Sequence, residues 1–325
     1  MNSKRVLVFR FAAIVCASIC SAPAWGATSR QSLLDRLLVV ESEFRAAGTG
    51  PHDSLDLRSE LDRAIQHLEL HDSIPTGPGT VMALNDLIFS RLEIRPTQDL
   101  KDPGNLLSSQ VLQRKQGYCV GIAALFLILA ERLDLPIFAV ATPSHVFLRF
   151  DDGTTRINIE TLQRGVSIPD EQYIREQKIP EESIRRGVFM RNLTTDEFLA
   201  QVHNNLGVIF SERKDFEMAA REYERALDLD SRLPAAHYNY GNDLLRTDEY
   251  RRAARLFSKS LRLYPTDVWA LNNRGLTYVK MGKPEKGRRD FEAALRLDPT
   301  FEPARKNLEH IERGDSQAQT IGEVF

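Results

Sequence analysis

Apolar positions recur three and four residues apart in SLLDRLLVVESEF (32–44) and in LDLRSELDRAIQHLEL (55–70). This spacing predicts two amphipathic helices, separated by a break at Gly48, Gly50 and Pro51. TVMALNDLIFSRL (80–92) shows the same periodicity and predicts a third. CVGIAALFLILAERL (119–133) is apolar on every side until Glu131 and Arg132, the pattern of a central buried helix. Three runs rich in β-branched and aromatic residues follow: PIFAVA (136–141), HVFLRF (145–150) and TRINIE (155–160), with DDGT between the last two. Helices followed by an antiparallel sheet predict an α+β domain over 28–192.

Beyond a linker expected at 193–199 the pattern becomes periodic. Gly207, Gly241 and Gly275 stand 34 residues apart, within NNLGVIF, NYGNDLL and NNRGLTY. Ala219, Ala253 and Gly287 follow at a second small-residue position, then Tyr223, Phe257 and Phe291, and Pro265 and Pro299 close the later units. Small residues let two antiparallel helices approach, and the aromatic is expected to fill the gap to the next unit. This period resembles the tetratricopeptide repeat. It implies an all-α solenoid of three units, 200–233, 234–267 and 268–301, with 302–313 as a cap helix and 314–325 as a disordered tail. Asn205, Asn239 and Asn273 recur at position 6 of each unit and form a candidate binding ladder for a peptide backbone. Two uses of the groove stay open: a protein or peptide partner, or docking onto the N-terminal domain. His203 and His237 share position 4, a packing position.

Composition adds little: 42% hydrophobic, 27% charged and a formal charge of −2 lack the basic excess of a nucleic-acid binder. The N-terminus changes the picture more. Lys4 and Arg5 precede an apolar stretch and small residues, a secretory signal over 1–27 with cleavage contexts at Ala22-Pro23-Ala24 or Ala24-Trp25-Gly26. Arg10 interrupts the apolar run well short of the ~20 residues a bilayer span needs, so no stable membrane insertion is expected after cleavage. A periplasmic or secreted protein is the expectation. Cys16 and Cys20 leave with the signal, which makes Cys119 a lone thiol in an oxidising compartment.

That thiol stands at the predicted start of the buried helix. A hairpin turning at Asp152-Gly153 would pair Phe150 with Thr155, Leu148 with Ile157 and Val146 with Ile159. One face then collects Val146, Leu148, Phe150, Ile157 and Ile159, and the other His145, Phe147, Arg149, Arg156, Asn158 and Glu160. In that register His145 faces Glu160 with Cβ atoms about 4.5–5.5 Å apart, within carboxylate–imidazole reach. Cys119, His145 and Glu160 are therefore the candidate catalytic residues: a thiol nucleophile at a helix N-terminus, an acid–base and its orienter, with Asn158 as alternative orienter. Gly117 and Gly121 are expected to keep the backbone near the thiol uncrowded, leaving amide N–H groups for an oxyanion; ordinary turn or packing roles are the alternative.

The stretch LNDLIFSRLEI…NLLSSQVLQRKQGYCVGIAALFLILAERLDLPIFAVATPSHVFLRF…INIETLQRG resembles the transglutaminase-like core of the SirB-type bacterial proteins. The resemblance implies a papain-like α+β fold followed by tetratricopeptide repeats, and it sets Cys119, His145 and Glu160 on that family's Cys, His and acidic positions. Glu160 departs from it, since many relatives carry Asp there. The activity implied is a cysteine peptidase, amidase or transglutaminase-like acyltransferase; the alternative is a non-catalytic periplasmic assembly module. His52, His67 and His71 lack metal-ligand spacing and no phosphate-binding glycine loop occurs, so neither metal nor cofactor is implied.

Overall fold

A computed structural model describes residues 31–46, 56–71 and 77–313. The expected signal segment, the break at Gly48, Gly50 and Pro51, His52 and the tail lie outside the described residues, as do the side chains of His67 and His71.

Three helices lead the N-terminal domain: α1 (Leu33–Ala46), α2 (Leu57–His71) and α3 (Pro78–Asn85), the last running on into a π-helical turn at Asp86–Arg91. A short parallel pair joins β1 (Arg95–Pro96) to β2 (Gln116–Gly117) around α4 (Ser108–Arg114). Then comes α5 (Cys119–Arg132), in which Leu125, Phe126, Ile128 and Leu129 are each 0% exposed. Burial of each such side chain contributes about 1.5–3 kcal/mol, and α1, α4 and the sheet all pack against α5. One close approach fixes its first turn: a Cβ on Gly121 would lie 2.4 Å from the Asn105 carbonyl oxygen.

The sheet comprises β3 (Ile137–Ala141), β4 (Val146–Asp151) and β5 (Arg156–Ile159), antiparallel in that order. Its two faces divide as the alternation predicts: Val146, Leu148, Phe150 and Ile159 join the main core, while Phe147 joins a second cluster with Tyr173, Ile179 and Phe189. The register differs from expectation by two residues. Leu148 pairs with Ile159, Phe150 with Ile157 and Asp151 with Arg156, around a four-residue loop at 152–155. The cause is turn chemistry. The Asp152 carboxylate accepts the Thr154 and Thr155 N–H groups at 2.9 and 2.7 Å, and Arg156 pairs with Asp151 at 3.0 Å. A shift of two keeps every side chain on its face.

After the sheet, α6 (Asp170–Glu176) and α7 (Glu181–Arg185) cover the second cluster. The solenoid follows as α8 (Thr195–Glu212), α9 (Phe216–Leu229), α10 (Pro234–Arg246), α11 (Tyr250–Leu263), α12 (Val268–Lys280), α13 (Pro284–Leu297) and the cap helix α14 (Glu302–Glu312). The linker expected at 193–199 is instead the N-cap and first turn of α8. Thr194 and Glu197 form a capping box there, and Leu193 is buried. Within each unit the aromatic packs on its own glycine: a Cβ on Gly207, Gly241 or Gly275 would fall 2.5, 2.9 or 2.7 Å from the ring of Tyr223, Phe257 or Phe291, and Tyr223 also stacks on Tyr240 of the next unit at a 5.8 Å ring separation.

The solenoid is joined to the N-terminal domain. Phe44 of α1 meets Phe210 of α8 at a 5.3 Å ring separation, and Phe189 meets Tyr264 edge-on at 5.4 Å. Ser183 Oγ donates to the Leu263 carbonyl at 2.9 Å. Among the described residues no helix is long and apolar enough to cross a membrane.

Candidate active site

β3 ends, β4 begins and β5 ends at the same end of the sheet, and the N-terminus of α5 lies there too. Cys119 is the first residue of α5; Tyr118, the N-cap, provides no side-chain cap to the first turn. The positive end of the helix therefore lies at the sulfur. His145 is set by a tight turn, its carbonyl accepting both the N–H and the hydroxyl of Thr142, at 2.8 and 3.0 Å. Glu160 leaves β5 as the N-cap of a 3-10 turn at Thr161–Gln163 and accepts the Leu162 N–H at 2.9 Å.

These three residues converge. Nε2 of His145 lies 2.9 and 2.8 Å from the two carboxylate oxygens of Glu160. The sulfur of Cys119 lies close enough to the same imidazole to act on its protonation. Burial works against a charge on His145, but the bonds to Cys119 and Glu160 and their negative charge outweigh it, raising its pKa to about 10. Glu160 shows the complementary balance: burial pushes it up, while His145, the Tyr173 hydroxyl and the Leu162 N–H hold it below the usual carboxylate range. The arrangement favours a protonated imidazole beside the sulfur and the Glu160 carboxylate.

The site departs from expectation at several points. Asn158, the alternative orienter, does not reach His145. Its Oδ1 accepts from Arg149 Nε at 2.9 Å and its Nδ2 donates to the Ile168 carbonyl and Asp170 at 2.8 and 2.7 Å. That buried network braces the opposite end of the sheet face, with Arg149 also bonded to Asp170 at 2.5 Å and to the Met190 carbonyl at 3.0 Å. Gly117 and Gly121 are packing glycines in crowded surroundings: a Cβ on Gly117 would be 2.8 Å from both Ile122 and Val111, and the Tyr118 N–H is spent on the Asn105 carbonyl at 2.7 Å. Cys119 itself is only 2% exposed, not set in an open notch. Its neighbours Tyr118 and His145 are half-buried, and the Tyr118 phenol lies close enough to the sulfur to feel it. Burial and then the Cys119 charge and bond push that phenol's pKa up.

Tyr173 on α6 is a member of the site that sequence reasoning missed. Its hydroxyl donates to Glu160 Oε2 at 2.6 Å, and its ring stacks on Phe147 with centroids 4.3 Å apart. Nothing local in EQYIRE marks it; the contact depends on how α6 docks.

The candidate binding asparagines lie half-buried in the solenoid, and part of their capacity is spent on other asparagines. Asn239 Nδ2 donates to Asn204 at 3.0 Å, Asn273 Nδ2 donates to Asn242 at 2.7 Å, and Asn205 Oδ1 accepts from Asn204 at 3.2 Å. His203 is paired with Glu222 at 2.7 Å and His237 with the Ser231 carbonyl at 2.9 Å, in packing positions. Among the described residues no group of three or more potential ligand side chains is placed to hold a metal.

Comparison with known proteins agrees with this architecture. Residues 56–205 match the model of the transglutaminase-like superfamily, and 200–232, 234–267 and 268–301 each match a tetratricopeptide repeat model. The chain carries a transglutaminase-like domain followed by three tetratricopeptide repeats. It is 29% identical over 103 residues to F-box only protein 21 of Mus musculus, covering 31% of this chain but only 16% of that protein. It is 26% identical over 203 residues to the UPF0162 protein of Xylella fastidiosa (strain 9a5c), covering 59% of this chain and 69% of that protein. Among solved structures, the TPR domain of Arabidopsis OM64 is similar at 19% identity and a TM-score of 0.36, over 36% of this chain and 98% of that one. Pseudomonas aeruginosa pilF is similar at 30% identity and a TM-score of 0.33, over 35% and 54% of the two chains.

Proposed function

We propose that this protein is an exported thiol acyltransferase or hydrolase whose repeats recruit a protein substrate. The observation that carries the reading is the bridge His145 makes between the Cys119 sulfur and the Glu160 carboxylate. Cys119 Sγ attacks the carbonyl carbon of an amide, forming the S–C bond and a tetrahedral oxyanion beside the first-turn N–H groups of α5. Collapse breaks the C–N bond, and His145 gives its proton to the departing amine. Water or a second amine then attacks the thioester, returns a proton to His145 and releases the thiolate. Glu160 orients the ring and offsets its charge throughout.

Export rests on Lys4, Arg5 and the apolar stretch that follows them. Recruitment rests on the three repeats and the half-buried row of Asn205, Asn239 and Asn273.

One observation favours a second reading, a periplasmic protein-binding module without catalysis: Cys119 is 2% exposed, so an acyl group reaches it only if its surroundings open. An activated acyl ester separates the two. Intact-protein mass spectrometry of the acyl enzyme shows one added acyl group on the wild type and none on Cys119→Ala if the first reading holds. Equal labelling of both proteins, or of neither, assigns the binding module. Fractionation of cells producing the full chain tests export, with a shortened protein in the periplasm or medium as the expected result.

A further inference from the structure

Among the described residues the donors to the Glu160 carboxylate are three, and their arrangement is lopsided in origin. His145 faces both oxygens. Oε1 has a second donor from its own chain neighbourhood, the Leu162 N–H at 2.9 Å. Oε2 has its second donor from a distant element, the Tyr173 hydroxyl at 2.6 Å. The two flanking donors hold the carboxylate plane so that the imidazole is centred on it; without Tyr173 nothing else among the described contacts opposes the pull of Leu162.

Tyr173 is built for that place. It is 5% exposed, and its ring stacks on Phe147 at 4.3 Å with an interplanar angle of 3°, while the His145 ring lies 6.5 Å away in a near-parallel plane. Three residues earlier on the same face of α6, Asp170 accepts from Arg149 at 2.5 Å and from Asn158 at 2.7 Å. The Arg149 network thus meets α6 at its first residue, while Tyr173 is held by its own stack on Phe147. Burial, the bond to Glu160 and the charges of Glu160, Asp170 and Glu176 all keep the phenol protonated, so it stays a donor.

From this geometry we infer that Tyr173 is a positioning residue for the candidate site: its hydroxyl fixes the Glu160 carboxylate, through which it sets the His145 ring against Cys119. The inference rests on the acyl-transfer reading for its functional consequence, but the geometry is testable without it.

Tyr173→Phe removes the hydroxyl and keeps the ring; Tyr173→Met removes both. The Glu160 carboxyl midpoint is followed by carbon NMR from pH 3 to pH 7, alongside iodoacetamide capture of Cys119 over the same range. A donor lost from a buried carboxylate favours its protonated form. Both variants are therefore expected to titrate Glu160 at higher pH than the wild type. Their capture rate at pH 5 is expected to fall about tenfold, with a far smaller loss at pH 8. A Glu160 midpoint that superimposes on the wild type in both variants, with only a lower melting temperature, reduces Tyr173 to packing and overturns the inference. A midpoint that moves while Cys119 behaves as an ordinary thiol in all three proteins upholds the positioning and removes the acyl-transfer reading instead.

Discussion

His145 Nε2 holds both carboxylate oxygens of Glu160, at 2.9 and 2.8 Å, although the two residues are not opposite each other in the sheet. Continuing the β4–β5 ladder from Leu148 and Ile159 sets Phe147 across from Glu160. The contact therefore spans a diagonal, some 7–8 Å between backbones, which suits a longer acidic side chain. Glu160 and His145 also lie just beyond the paired strands, where each backbone is fixed by its own turn.

Replacing Glu160 with Gln keeps the size and removes the charge. His145 should then release its proton well below the midpoint of about 10 that the intact site supports. Loss of the charge-assisted bonds should also cost about 1.5–3 kcal/mol of stability. Proton NMR of the imidazole and urea unfolding read the two effects; an unmoved imidazole midpoint contradicts this electrostatic account.

Stability should depend on pH through His145. Its folded pKa, about 10, lies above the ordinary histidine value, so the folded state binds the proton more tightly. This contribution is fully present below about pH 6.5 and is lost as pH rises through about 10. The difference in unfolding free energy between the wild type and His145→Gln should therefore shrink between pH 8 and pH 10.5. A difference that stays constant over that range contradicts the shift.

The Arg149 network predicts a separation of stability from chemistry. Arg149→Met removes the charge-assisted bond to the partly exposed Asp170 and should cost about 1.5–3 kcal/mol in urea unfolding. Asn158→Ala should also destabilise, while leaving the pH dependence of Cys119 alkylation where it is in the wild type. A shift in that profile would return Asn158 to the role of orienter.

At the first turn of α5, Gly121→Ala puts a methyl 2.4 Å from the Asn105 carbonyl oxygen, and backbone must shift to admit it. The expected loss is about 1–3 kcal/mol, read by thermal or urea unfolding. No change in stability would mean the loop approaches α5 less closely.

The elements that repeat or alternate were legible in the chain. The 34-residue spacing from Gly207 to Gly275 marked the repeats, and the apolar stretch after Cys119 marked the central helix. The alternation in HVFLRF and TRINIE assigned the sheet faces correctly even though the register was two residues off, because side-chain direction repeats every two residues. The register itself depended on whether Asp152 would bond forward to Thr154 and Thr155, a choice that Asp-Gly alone does not settle. The start of α8 is readable in Thr194 and Glu197, three residues apart, the spacing of a capping box. Tyr173, the destination of Asn158 and the burial of Cys119 all depend on how distant elements dock, and no local pattern encodes that.

The central claim is that Cys119 and His145 act as one unit, and the rate of iodoacetamide capture of Cys119 against pH tests it most directly. The wild type should be captured faster than His145→Ala across the neutral range, because only the wild type holds an imidazole beside the sulfur. Slow capture with the same ordinary thiol profile in both proteins would contradict the claim.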